Sequence, residues 1–489
     1  MKRSLLFFYI ISFQFFSLSS QSWDWVKNYN PGATDIGTSI GIDKQSNLYI
    51  TGYSRYTTGG GGVSYHHPVF WKLDSVGNAI WTQTLGLGGP SVTDTSGYTY
   101  ITGQNKIVKF NNSGQIEWVV NIQMWGMFQS IALHHMEDII ILGSKLSNDS
   151  STFQSVLMHY DSYGNYLWSK SGTFPLSNKI ICDKDDNIYI IGTGSKDTAT
   201  INFGLLTKCD SNGNIIYNRT IPATPTEIVI DSKKNIYVTG WFGAIPININ
   251  GIVYPGDHTK EFQFLIKYDP NGKVLWHKVY DQGRHVIAID DEDNLYATFY
   301  YGGNLPGITA QAGNLIVMKM DSLGNMLWYK NSEVVIPPPG YLAGYVEAYA
   351  MIIKNNDVFI TGAISGTQKF DNFVLSSDRT YTDMFVAKIS PPKDVSVREI
   401  KKNENALNFN IYPNPSTNIF TLSIAKTQTN REIKINVIDV LGKTVYTETI
   451  KNFNGSMQKE INLEGISKGT YIIKLISNDF TATKKIVVE

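Results

Sequence analysis

One hexapeptide recurs seven times along this chain of 489 residues. Asn47-Leu48-Tyr49-Ile50-Thr51-Gly52 is followed by YTYITG at 98–103, DIIILG at 138–143, NIYIIG at 187–192, NIYVTG at 235–240, NLYATF at 294–299 and DVFITG at 357–362. A second motif, KLDSVGNAIW at 72–81, is interleaved with it and recurs at 109–118, 159–168, 208–217, 267–276 and 319–328; a last copy stops after Val386-Ala387-Lys388-Ile389. The second motif reads as a hairpin, with alternating residues entering a Gly-Asn type turn and leaving toward Trp81, Trp118, Trp168, Tyr217, Trp276 or Trp328. Short apolar runs such as Glu227-Ile228-Val229-Ile230 precede the first motif. Each repeat therefore holds four strands, a to d, in roughly 40 to 63 residues, and four-stranded units at this period are propeller blades.

The seventh repeat lacks strand d. Trp23-Asp24-Trp25-Val26 precedes the first repeat as Ala79-Ile80-Trp81-Thr82 precedes the second, so the N-terminal segment is expected to complete the last blade and leave the ring without a free edge. The fold class that follows is all-β: a seven-bladed β-propeller, with a small immunoglobulin-like β-sandwich after it. Composition agrees, since Gly 42, Tyr 28, Phe 23 and Trp 10 favour strands and turns. Lys+Arg and Asp+Glu both number 42, which gives no net field to attract nucleic acid.

These repeats resemble the secreted bacterial beta-propeller repeat family, with its aspartate, Gly-Asn turn, Y-V-T-G-like strand and F-V-x-K strand. The resemblance spans residues 23 to about 390 and implies fold, not activity. The second blade departs from it at Gly97-Tyr98, and the third has His134 where its siblings have aspartate.

The a–b and c–d connections are short and uniform. The b–c connections, on the opposite face, are long at Tyr53 to Pro68, Trp241 to Glu261, Phe299 to Gly313 and Ala363 to Asp383, and the d–a connection Asn331 to Tyr345 joins them. Length variation confined to one end of a rigid ring points to function there. The expected ligand-binding residues are Tyr53, Tyr65, His66, Trp125, Trp241, Tyr301 and Tyr341, whose rings suit sugars or peptide side chains. Where strand a begins, Lys179, Glu227, Arg284, His285 and Glu347 are expected to surround the channel mouth. The leading expectation is a binding or adhesion protein for a glycan or protein; the alternative is a carbohydrate-active lyase or hydrolase using the channel-mouth groups.

No catalytic or cofactor motif appears, and neither cofactor nor metal is expected. Asp183 to Asn187 and Asp290 to Asn294 begin like calcium loops, but Ile188 and Leu295 stand where the sixth-position glycine is required, so both read as solvated turns. His66-His67 and His134-His135 read as surface or loop histidines, because neighbours on a strand face opposite ways. Cys182 and Cys209, on strands a and c of one blade, lie beyond disulfide reach with strand b between them.

Lys2-Arg3, the apolar run Leu5 to Phe16 and the small residues to Ser20 have the order of a signal peptide, expected over 1–20. The propeller is expected over 21–392, a polar linker over 393–408 and the sandwich, with about seven strands, over 409–489. Tyr412-Pro413-Asn414-Pro415, the stretch around Gly442, Gly469-Thr470-Tyr471 and the ending Lys484 to Val488 resemble the type A C-terminal sorting domain of the type IX secretion system of Bacteroidetes. That resemblance implies the type IX machinery as a partner, passage through the outer membrane, removal of this domain, and a secreted or cell-surface product. Separately, no segment after the signal peptide is long and apolar enough to span a membrane, so no transmembrane segment is expected in the mature protein.

Overall fold

The computed structural model describes residues 21–30, 34–57, 64–122, 127–134, 137–146, 153–172, 174–194, 203–281, 286–300, 308, 313–335, 344–377, 382–390, 409–439, 444–477 and 481–488. The expected signal peptide and linker lie outside them. Two compact units emerge, Met1–Lys393 and Asp394–Glu489.

Among the described residues, the first unit contains seven four-stranded antiparallel sheets. In the first, strand a is Thr34–Ile42, b is Leu48–Thr57, c is Ser64–Leu73 and d is Ala79–Thr84. Strand a of each sheet packs on strand a of the next, and the series returns from the seventh sheet to the first, so the sheets form a closed ring. The seventh sheet is built from Tyr345–Lys354, Asp357–Ser365 and Asp383–Ser390, with Ser22–Tyr29 as its outer strand. Trp25 pairs with Lys388 and Val26 with Ala387, the closure anticipated from the broken last repeat. The Trp25 indole is buried between first-sheet residues such as Leu48 and Trp71 and seventh-sheet residues Phe359 and Val386.

The repeated residues bolt this ring together. At each c–d turn a glycine takes a left-handed backbone, from φ 74° at Gly213 to 85° at Gly164, a conformation that costs a residue with Cβ. The flat face left by that glycine receives the strand-d aromatic of the preceding sheet: a Cβ on Gly77 would sit 2.7 Å from the Trp25 ring, and one on Gly213 2.7 Å from Trp168. The indole N–H of Trp118 donates to Ser162 O at 3.1 Å and that of Trp276 to Ser322 O at 3.2 Å, so the same aromatic also closes a half-buried polar contact.

The a–b turns carry a second bolt. Asp231 Oδ1 accepts the amides of Lys233 and Asn235, and its Oδ2 accepts the Asn235 amide side chain at 2.8 Å and the Tyr237 hydroxyl at 3.3 Å. Lys267 from strand c stands 3.4 Å from this carboxylate and 4.7 Å above the Tyr237 ring. Asp290, Asn294, Tyr296 and Lys319 repeat the arrangement, with Lys319 2.9 Å from Asp290. Burial, followed by the adjoining aspartate, raises the phenols of Tyr49, Tyr189, Tyr237 and Tyr296 well above their ordinary value. Asp183 and Asp290 are thus buried turn anchors, not the solvated residues anticipated. The sequence reading missed this because it judged the exposed middle of each turn rather than its first residue.

Cys182 and Cys209 both pair with Ile188, from opposite sides, and are free thiols. Burial pushes Cys209 up to about 12.

The second unit is a β-structure with fewer, longer strands than anticipated. Ile419–Asp439 and Thr444–Asn462 are each continuous, and irregularities between Ile424 and Ile433 divide the pair into two arms. One arm pairs with Phe409–Tyr412, the other with Gly469–Ile476, which pairs in turn with Thr481–Val488. Bulges let one long strand pair with different partners along its length, so segments that read as separate strands are joined. Phe420, Leu422, Ile435, Val437, Ile473 and Ile486 lie in its core.

Candidate functional site

Strand a enters each sheet from the variable face, so its first residues and the far ends of strands b and c surround the mouth of the ring. At the fifth sheet these strands are Thr224–Ile230, Ile236–Phe242 and Phe262–Tyr268. Trp241 pairs with Thr224 on one side and Gln263 on the other. It therefore belongs to the strand rather than to a loop, and the residue remains 38% exposed at the end of the sheet.

A cleft of about 400 Å³ opens beside it, lined by Thr226, Glu227, Trp241, Glu261, Gln263, Val286, Ala348 and Tyr349. Strand-a segments of the fifth, sixth and seventh sheets contribute one wall, and the fifth sheet's Trp241 and Gln263 another. Two residue classes anticipated separately, a loop aromatic and a channel-mouth carboxylate, thus meet in one cavity. Lys179 Nζ, from the fourth sheet, lies 2.9 Å from the Glu227 carboxylate. The Tyr349 hydroxyl donates to Glu347 at 2.9 Å, and burial, followed by the charge of Glu347, raises the phenols of Tyr300 and Tyr345. Charged and hydroxyl groups around an aromatic plane can orient a polyhydroxylated ring or a polar peptide side chain.

Tyr53 lies elsewhere. It pairs with Ile36 and Pro68 within an extended first sheet and lines a separate cleft of about 350 Å³ with Thr38, Thr51, Leu87 and Gly88. Tyr65 and His66 lie on strand c of that sheet, opposite Tyr56 and Arg55. Trp125, Arg284, His285, Tyr301 and Tyr341 lie outside the described residues. The connection Trp241 to Glu261 contains a small hairpin, Ile247–Ile249 with Ile252–Tyr254, and Ala363 to Asp383 contains another, Thr367–Phe370 with Phe373–Ser376. Glu333–Val334 of the d–a connection adds a strand to the latter. Thr226, Gln263 and Tyr349 were not anticipated at the site. The available signal was alternation: Thr226 and Tyr349 fall one or two residues from Glu227 and Glu347 at bulges in strand a, where the side-chain alternation shifts.

In the second unit Asn414 is held by two bonds to the last strand: its amide donates to Lys485 O at 2.8 Å and its carbonyl accepts Val487 N–H at 2.9 Å. Tyr412-Pro413 and Asn414-Pro415 are both cis. Tyr471 is buried, with its hydroxyl donating to Ser467 O at 2.6 Å, and Gly469 opens that strand opposite Val488. Gly442 lies outside the described residues.

With this geometry in place, comparison with known proteins gives two family matches. Residues 410–489 match the secretion system C-terminal sorting domain, and residues 29–55 match the beta-propeller repeat. No curated protein sequence matches. Similar solved structures include the WD40 domain of Pan2 from Neurospora crassa, with 10% identity, 76% of this chain and 95% of that one covered, and a TM-score of 0.45. Another is a catalytically inactive virginiamycin B lyase from Staphylococcus aureus, with 11% identity, 75% and 98% covered, and a TM-score of 0.41. A third is a protein of unknown function from Bacteroides caccae, with 11% identity, 54% and 89% covered, and a TM-score of 0.35.

The protein is a β-propeller carrying a sorting domain. More particularly, its C-terminal domain is of the type IX kind, which makes it a secreted or cell-surface protein handled by that machinery. No helix among the described residues is long and apolar enough to cross a membrane.

Proposed function

We propose that the propeller is a binding or adhesion module which holds a glycan or protein ligand on its variable face, with the Trp241 cleft as the main contact. The observation that supports this most is the convergence of an exposed indole, Glu227 and Gln263 in one cavity at the ring mouth. Indole faces add contact area at low entropic cost, and the surrounding polar groups supply direction. A sorting domain that delivers the chain outside the cell places such a module where extracellular glycans and proteins are found.

The test is a glycan array and a surface-protein pull-down with the full chain. Trp241→Ala is expected to lose about 2 kcal/mol, roughly thirtyfold in affinity, whereas Tyr163→Ala, 80% exposed on a c–d turn of the opposite face, leaves binding unchanged. Equal effects of the two substitutions contradict the proposal. Polysaccharide cleavage that disappears in Glu227→Gln supports the enzyme reading instead.

A further inference from the structure

The third blade breaks the bolt of its siblings in a concerted way. Where the first blade has Asp43, Asn47, Tyr49 and Lys72, the third has His134, Asp138, Ile140 and His159. The aspartate, the tyrosine and the lysine are all lost, and two imidazoles and one relocated carboxylate take the slot. His134 ends strand a, Asp138 begins strand b, and His159 lies near the end of strand c. His134 and His159 are 5% and 6% exposed, so His134 is not the surface or loop histidine that its pairing with His135 suggested.

We infer that His134, Asp138 and His159 form a binding site for one divalent transition-metal ion of the zinc type. Each residue offers one ligand atom, and the three atoms lie within 4.8 Å of one another. His159 Nε2 and Asp138 Oδ2 are 3.2 Å apart, close to the ~3.4 Å between neighbouring ligands on a tetrahedral ion with bonds of about 2.1 Å. Binding puts the ion in place of the proton between them, and the neutral imidazole keeps that proton by changing tautomer, from Nε2 to Nδ1.

The supporting contacts orient these groups. His134 Nε2 lies 3.1 Å from Asp186 O in the next blade. A carbonyl only accepts, so Nε2 carries the proton and Nδ1 keeps its lone pair. Asp138 Oδ1 accepts the Ser162 N–H at 3.1 Å, leaving Oδ2 for the ion. The His159 ring is held edge-on by His134 at 4.7 Å and by Trp168 at 5.3 Å. Outer-shell contacts of this kind fix ligand orientation at metal centres. Two imidazoles with one carboxylate select zinc-like ions over calcium or magnesium, and the partly exposed Asp138 side leaves a fourth position for water. The ion then performs in this blade the task that Lys267 and Asp231 perform in the fifth, cross-linking strands a, b and c.

The test uses the untagged full chain. Equilibrium dialysis against Zn²⁺ with elemental analysis is expected to give one more equivalent for the wild type than for a variant rebuilt to the sibling pattern, His134→Asp, Asp138→Asn, Ile140→Tyr and His159→Lys. The single change His159→Gln is expected to weaken binding at least about tenfold. Zn²⁺, but not Ca²⁺, raises the melting temperature of the wild type and not of the rebuilt chain. Equal zinc content in wild type and rebuilt variant overturns the inference, as does a failure of the wild type to take up zinc at all. The rebuilt variant carries residues that already fold in the neighbouring blades, so loss of zinc there is separable from loss of fold.

Discussion

Removing the Trp25 side chain tests the closure of the ring. Trp25 is 8% exposed, packs between the seventh and first sheets, and donates from its indole to Ser75 O at 3.3 Å. Truncating a buried tryptophan to alanine costs about 3–5 kcal/mol, because the lost transfer energy is joined by a cavity that rigid neighbours fill only in part. The neighbours here are strands of two sheets and the left-handed Gly77 turn, none of which can move inward without breaking ladder bonds. With an unfolding entropy of about 2.1 cal/mol/K per residue over a unit of roughly 370 residues, that loss lowers the melting temperature by about 4–6 °C. Differential scanning calorimetry of wild type, Trp25→Ala and the exposed control Tyr163→Ala is the assay. A shift under about 1 °C for Trp25→Ala refutes the reasoning, since it means the N-terminal strand contributes nothing to the stability of the ring.

Other outcomes follow from the bolts. Gly164 has φ 85°, and a Cβ there would stand 3.1 Å from the Trp118 ring; Gly164→Ala is expected to cost at least about 1–2 kcal/mol, against under ~0.5 kcal/mol for Gly86→Ala, which meets nothing within 4 Å, both read by urea unfolding. Burial opposes ionisation of Asp290, but Lys319 and the Asn294 amides outweigh it and hold the carboxyl below its ordinary value. A carboxyl depressed in the folded state contributes stability that is present above the unfolded value of about 3.9 and lost as pH falls through the folded one. Lys319→Met therefore moves the acid-unfolding midpoint to higher pH, measured by circular dichroism, and an unchanged midpoint contradicts the assignment.

The ring was legible because its signals are local and repeated: seven copies of one strand motif and six Gly turns reinforce one another, and the orphan Trp23 to Val26 segment fits the one missing place. The second unit was harder to read. Its apolar alternation marks Ile419 to Ile424 and Ile433 to Ile438 correctly as extended, but pairing with two different partners along one chain is decided by bulges that leave no periodic trace. On the variable face, Trp241 could be named from the sequence as an aromatic of a long b–c connection and Glu227 as a residue at the start of strand a, yet their meeting depends on neighbouring sheets that sequence order keeps apart. The histidine slot was missed for a related reason. His134 was weighed beside His135, its neighbour in the chain, whereas the structure sets it beside His159, its neighbour across the sheet.

The most direct measurement for the functional account is a crystal of the propeller soaked with the oligosaccharide or peptide that scores highest in the binding screen. The account predicts ordered ligand stacked on Trp241, within hydrogen-bonding distance of Glu227 or Gln263 at the ring mouth. Ligand seated instead on the short a–b and c–d turns of the opposite face would contradict it.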